Sequence, residues 1–150
     1  MKINQLLNSE NILLNLKCSN KEEVIKQMAK SLEDTEVISS LEGFIIDINK
    51  REEEYSTGIG NGFAIPHAKS KYANKASIAF AKTEELIEYN SLDDKPVNVF
   101  FMLAVPKDGN QEHLKIISTL ARKLMNKEVR NNIKRVTSKE ELINILDDFN

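Results

Sequence analysis

Val97-Asn98-Val99-Phe100-Phe101-Met102-Leu103-Ala104-Val105, closed by Pro106-Lys107-Asp108-Gly109, is the stretch from which the fold can be read. Its unbroken apolar run, Val99 to Val105, has the length of a strand. It is far short of the ~20 residues a helix needs to cross a bilayer. A strand that is apolar at successive positions, not alternate ones, is covered on both faces. The run therefore predicts a central strand over Val97–Leu103, broken by Pro106 and Gly109.

Other elements can be placed around this strand. Ala76–Ala81 and Leu86–Tyr89 read as strands, Ile12–Leu16 as a short buried strand and Phe63-Ala64-Ile65 as a brief one. The three middle strands lie too close in sequence for helical crossovers, which predicts antiparallel pairs in a mixed sheet. Ser19 with Glu22 and Ser39 with Glu42 read as capping boxes for two helices. The first carries Val24, Ile25, Met28, Ala29 and Leu32 on one stripe; the second carries Leu41, Phe44, Ile45 and Ile48 and ends near Lys50 or Arg51. After the central strand a helix is predicted over Gln111–Met125, with Leu114, Ile117, Leu120, Ala121 and Leu124 inward. A basic helix follows over Lys127–Arg135. Ser138 and Glu141 then cap a last helix burying Leu142, Ile145, Leu146 and Phe149. The expected fold is α/β (α+β): a single-domain three-layer sandwich over residues 1–150, with a mixed central sheet and helices on both faces.

The composition excludes several functions. The chain has 150 residues, 41% hydrophobic and 29% charged, which is a folded composition of one-domain size. With 21 basic and 23 acidic side chains, no global positive charge draws it to nucleic acid or anionic lipid. Cys18 is the only cysteine, so an intramolecular disulfide is impossible; with only His67 and His113 beside it, a four-ligand structural zinc site is excluded too. Met1-Lys2-Ile3-Asn4-Gln5 lacks the apolar core of a signal peptide, which makes a cytoplasmic location the expectation.

Chemistry concentrates in Arg51-Glu-Glu-Glu-Tyr-Ser56-Thr57-Gly58-Ile59-Gly60-Asn61-Gly62-Phe63-Ala64-Ile65-Pro66-His67-Ala68-Lys69, which has no helical periodicity beyond its start. Alternating Gly58, Gly60 and Gly62 let a main chain approach an anion closely. Taken singly they also suit plain tight turns. Ser56 and Thr57 add hydroxyls, and Arg51 offers a planar, permanently charged fork for phosphate oxygens or, more simply, a charge at a helix C-terminus. His67 is an imidazole that is neutral near pH 7, held by the rigid Pro66, although such a histidine can equally be structural. A fixed nucleophile, backbone donors and a guanidinium suit phosphoryl transfer, where catalysis is mainly positioning and charge stabilisation. The glycine pattern is neither a dinucleotide fingerprint nor a Walker loop, since no helix follows directly and no Gly-Lys-Ser/Thr is present.

Arg-Glu-x-x-x-Ser-Thr-Gly-Ile-Gly-x-Gly-x-Ala-Ile-Pro-His resembles the active-site segment of the fructose/mannitol-type enzyme IIA proteins of the bacterial phosphotransferase system. The likeness continues in the early strand–helix pair, the strand before Pro106, and His113-Leu114 opening a helix that runs to Leu120-Ala121. Ala68 stands where the family often has Gly, and Ile117 where Leu is common; neither change removes a functional atom. The resemblance implies a phosphocarrier. His67 would be the phosphohistidine nucleophile, with His113 and Arg51 assisting, and Ser56, Thr57, Gly58, Gly60 and Gly62 would be phosphate-binding. The implied partners are the carrier HPr and an enzyme IIB component (IIB or IIBC), with no metal, cofactor, nucleic acid or membrane insertion. The alternative it leaves is a nitrogen-type regulatory enzyme IIA. An exposed patch of Ile59, Phe63 and Ala68 is expected to meet HPr.

Two features fall outside this. Cys18, between a strand and a helix, reads as a small buried residue. The basic run Lys123, Lys127, Arg130, Lys134 and Arg135 reads as a solvated helix face.

Overall fold

A computed structural model describes residues 3–109 and 111–149. The ends of the expected 1–150 domain, including Met1 and Lys2 of the leader reading, lie outside the described residues. A 3₁₀ turn (Ile3–Leu6) leads into β1 (Leu7–Leu16), α1 (Lys21–Asp34) and α2 (Leu41–Glu54). Three short strands follow, β2 (Gly58–Gly60), β3 (Phe63–Ala64) and β4 (His67–Ser70), then the long β5 (Ser77–Ile87) and β6 (Val97–Pro106). The chain closes with α3 (Gln111–Lys123), α4 (Lys127–Lys134) and α5 (Lys139–Asp147).

The mixed sheet runs β1-β5-β6-β3-β2, with β4 also paired to β6. β5 and β6 are antiparallel, as are β2 and β3, whereas β1–β5, β3–β6 and β4–β6 are parallel. The apolar run explains why β6 is central. Successive side chains of a strand point to opposite faces. Phe100, Met102 and Ala104 enter a core with Val24, Met28 and Leu32 of α1 and Phe44 and Ile48 of α2. Val99, Phe101, Leu103 and Val105 enter the opposite core with Leu120 of α3, Ile133 of α4 and Leu142 and Leu146 of α5. In that second core the Phe80 and Phe101 rings meet edge to face, 5.1 Å between centroids, a contact worth about 1 kcal/mol beyond burial. Two cores, one on each side of one sheet, make the expected three layers.

Several local expectations shift. Leu86–Tyr89 is not a separate strand. β5 continues to Ile87, and a register irregularity between Lys82 and Ile87 absorbs the polar interruption Lys82-Thr83-Glu84-Glu85. Both early caps move one residue on: Asn20 accepts the Glu23 N–H at 2.9 Å, and Ser40 accepts the Gly43 N–H at 3.1 Å. Asn caps as well as Ser, and Ser39 is drawn away by the Tyr72 carbonyl, to which its N–H donates at 2.9 Å. Ser138 caps α5 as expected, accepting the Glu141 N–H at 3.2 Å. α3 is rotated from its predicted face: Ile116 and Leu120 are buried, and Leu114 is exposed.

Candidate active site

Helix α2 brings Arg51 into its last turn, and the chain then crosses β2 and β3 before β4 begins at His67. Both β3 and β4 lie along β6, with Ala64 beside Phe100 and His67 beside Leu103. Between them, Ile65 N–H donates to the Thr57 carbonyl at 3.0 Å and the Pro66 carbonyl accepts Leu103 N–H at 2.9 Å. Pro66 has no N–H to lose from this ladder. The backbone ahead of the imidazole is thus fixed on both sides.

The ring is fixed too. His67 Nδ1 lies 2.8 Å from the carbonyl oxygen of Ile65, its own neighbour two residues back. A carbonyl only accepts, so Nδ1 carries the proton and the lone pair sits on Nε2. Arg51 Nε–H donates to that Nε2 at 3.2 Å. Burial holds the His67 imidazole below its ordinary value; the Ile65 carbonyl acts in the opposite sense, and the Arg51 charge adds to the lowering. The ring is therefore neutral near pH 7, with its lone pair on Nε2.

Arg51 is held in turn. Its Nη1 donates to the Tyr55 carbonyl at 2.9 Å, and its guanidinium lies 4.2 Å from the centroid of the Tyr55 ring. A cleft of about 380 Å³ opens at these two residues, lined also by Asp47, Lys50, Lys69 and Leu114. The half-buried His67 thus faces a space large enough for an incoming group. Leu114 on this rim brings the first turn of α3 to the cleft, one residue from His113. His113 itself is half-buried; its Nδ1, facing Gly109, has no hydrogen-bond partner among the described residues.

The serine, threonine and glycines of the motif are engaged elsewhere. Ser56 Oγ donates to the Tyr89 carbonyl at 3.3 Å and accepts the Gly58 N–H at 3.0 Å. Thr57 is buried: its N–H donates to Glu52 Oε2 at 3.1 Å, and its hydroxyl bonds Glu52 Oε1. Gly60 N–H donates to Ser91 Oγ at 3.1 Å, and the Gly62 carbonyl accepts from Asn98 and Val99. The structure brings Arg51 to His67; the Gly58 and Gly60 amides and the Ser56 and Thr57 hydroxyls are spent within the loop and its supports. Gly60 and Gly62 take φ of +100° and +87°, which only glycine adopts without strain. Of the expected HPr patch, Phe63 and Ala68 are buried in the two cores, so that patch does not exist as read. Strands β3 and β4 turn both side chains inward.

Sequence reasoning also missed Glu52 and Tyr89. Glu52 Oε1 accepts the Tyr89 hydroxyl at 2.6 Å, and Glu52 Oε2 lies 3.6 Å from Lys21 Nζ. Lys21 also lies over the Tyr89 ring, 4.3 Å from its centroid. Burial, then the Glu52 charge, pushes the Tyr89 phenol well above its ordinary value, so it remains a donor. Glu52 stands next to Arg51 in the motif, which was a usable signal; Tyr89, 37 residues away, gave none.

A family model described as the phosphoenolpyruvate-dependent sugar phosphotransferase system, EIIA 2, matches residues 5–149. The chain belongs to this family. That family is one of phosphotransfer proteins. The chain is 36% identical over 146 residues to the fructose-specific EIIABC component of Bacillus subtilis, a match covering 97% of this chain and 23% of that protein. It therefore spans about a quarter of that relative's length. The crystal structure of the nitrogen regulatory protein IIA-Ntr from Neisseria meningitidis superposes with a TM-score of 0.89 at 33% identity, covering 96% of this chain and 98% of that one. The mannitol enzyme IIA of Escherichia coli, solved in complex with phosphorylated enzyme IIB, shares the fold: TM-score 0.80 at 23% identity, covering 95% of this chain and 99% of that one. No helix among the described residues is long and apolar enough to cross a membrane.

Proposed function

We propose that this enzyme IIA is a cytoplasmic phosphocarrier that accepts a phosphoryl group from phosphorylated HPr on Nε2 of His67. The observation that carries the reading is the paired set of contacts at the ring: Nδ1–H on the Ile65 carbonyl and Nε2 facing the cleft beside Arg51. In the transfer, the Nε2 lone pair bonds to phosphorus as the bond from phosphorus to the donor's imidazole nitrogen breaks. The electron pair returns to the donor and the His67 Nδ1 proton stays in place. Arg51 then releases Nε2 and turns its N–H donors to the new phosphoryl oxygens, which a guanidinium suits. His113, one residue from the cleft lining, is the second group assigned to those oxygens. Ser56, Thr57, Gly58, Gly60 and Gly62 contribute by fixing the loop between Arg51 and His67. In the second step a thiolate of enzyme IIB attacks phosphorus, and the bond to Nε2 breaks with its electron pair returning to His67.

Two destinations are supported. Likeness to a fructose-specific relative favours delivery to an enzyme IIB cysteine during uptake of a fructose-type sugar. Likeness to a nitrogen regulatory protein favours the second reading, a regulator whose phosphorylation state controls other proteins. Incubation with phosphorylated HPr tests the common step. Acid-labile label is expected on the native protein, none on His67→Ala, and slowed labelling in Arg51→Ala and His113→Ala. Undiminished labelling of His67→Ala overturns the reading. Adding candidate enzyme IIB proteins separates the branches: loss of label to one of them marks the carrier, and retention against all marks the regulator.

A further inference from the structure

The basic run of α4 is not a uniformly solvated face. Lys127, Arg130 and Lys134 recur at helical spacing and line one cleft of about 420 Å³, between α4 and the turn from β2 to β3. None of the three has an ion pair among the described residues, where the recorded bridges involve only Lys21 and Lys30. Lys134 is pressed against the fold: its Nζ lies 5.4 Å from the centroid of the Phe63 ring and 3.4 Å from where a Gly62 Cβ would stand. Burial lowers the Lys134 ammonium from its ordinary value, and the Arg130 charge adds to this. Arg130 is pinned by donating from Nη1 to the Leu124 and Met125 carbonyls, each at 2.9 Å. Like charges held together with no direct ion pair are unfavourable until an anion joins them.

The opposite wall sets one cation, Lys95, beside hydrogen-bond acceptors. Asp93 stands there with Oδ2 accepting Asn61 N–H at 2.9 Å and Oδ1 accepting Lys95 N–H at 3.1 Å. Asn61 and Asn98 add amide groups to this wall, and Asn131 adds one from α4. A cationic wall facing an acceptor-rich wall suits a ligand with a dianion at one end and hydroxyls at the other. We infer that this cleft binds a small phosphate monoester of a polyol, its phosphate on Lys127, Arg130 and Lys134 and its hydroxyls toward Asp93 and the asparagines. The phosphate group carries close to two negative charges at pH 7 and three acceptor oxygens. The cleft shares no lining residue with the one at His67, so its occupancy is separate from the phosphocarrier reading.

The test uses glucose-6-phosphate, with glucose and inorganic phosphate as controls, on the unphosphorylated protein at low ionic strength. Amide NMR spectra are expected to shift at Gly62, Asn98 and residues 127–134 with glucose-6-phosphate, not with glucose. Affinity is expected to fall about tenfold in Lys134→Gln, the loss of one charge-assisted contact. Labelling by phosphorylated HPr stays unchanged in that variant. No shifts, shifts unaltered by Lys134→Gln, or equal affinity for inorganic phosphate each overturn the inference.

Discussion

Arg51 donates its Nε–H to Nε2 of His67 across 3.2 Å, while the Ile65 carbonyl accepts the Nδ1–H on the other side of the ring. Under the proposed function, the guanidinium occupies the position that the phosphoryl group would fill. A cation there disfavours protonation of Nε2 and keeps the lone pair in place.

Replacing Arg51 with Gln removes that charge. The His67 pKa is expected to rise toward the ordinary imidazole value, because burial remains the larger lowering influence and the Arg51 contribution is lost. Titration of the His67 ring protons by NMR measures this. An unchanged or lower pKa in Arg51→Gln contradicts the electrostatic account.

The lowered His67 pKa links stability to pH. The unfolded chain takes up a proton near pH 6.5, whereas the folded ring resists it, so the unfolded state binds more protons as pH falls. The stability contribution is full above pH 6.5 and lost as pH falls through the folded pKa. Between pH 7.5 and pH 5 the native protein is therefore expected to lose more stability than His67→Gln, in thermal melts at matched ionic strength. Parallel curves for the two proteins exclude the linkage.

The buried hydroxyl of Tyr89 bonds Glu52 at 2.6 Å and lies 3.1 Å from Thr57 Oγ1. Tyr89→Phe leaves a carboxylate oxygen short of one donor and is expected to cost about 1–3 kcal/mol in urea unfolding. Glu52 also holds the backbone of Thr57, within the segment that joins Arg51 to His67, so labelling of His67 should slow in the same variant. Native stability in Tyr89→Phe removes this support.

Gly58 lies against Ser91: an added Cβ would stand 2.9 Å from the Ser91 Cα and Cβ. Gly58→Ala must push two backbones apart and is expected to cost about 1–3 kcal/mol. The measurement is again an unfolding curve. Full stability combined with lost labelling would instead assign Gly58 to the phosphate.

Sequence legibility followed the range of the interactions. The central position of β6 and the stripes of α1 and α5 were readable because burial imposes its period on local residues. The meeting of Arg51 and His67 was readable because the motif between them is contiguous. The Tyr89 hydroxyl on Glu52 was not, since only the packing of β5 beside β6 brings position 89 to α2. The inward turn of Phe63 and Ala68 was missed for a related reason. Two- and four-residue strands leave no periodic trace, and only pairing with β6 decides which way their side chains face. Leu114 was assigned to the core from the helical period alone, but α3 presents Ile116 inward and leaves Leu114 at the His67 cleft.

Because β4 pairs with β6 directly from His67 onward, the imidazole's backbone cannot travel without breaking that strand's ladder to the central strand. Any relay through this molecule then works like a fixed station on a line: donors and acceptors must come to the ring in turn, and the two visits compete for one berth.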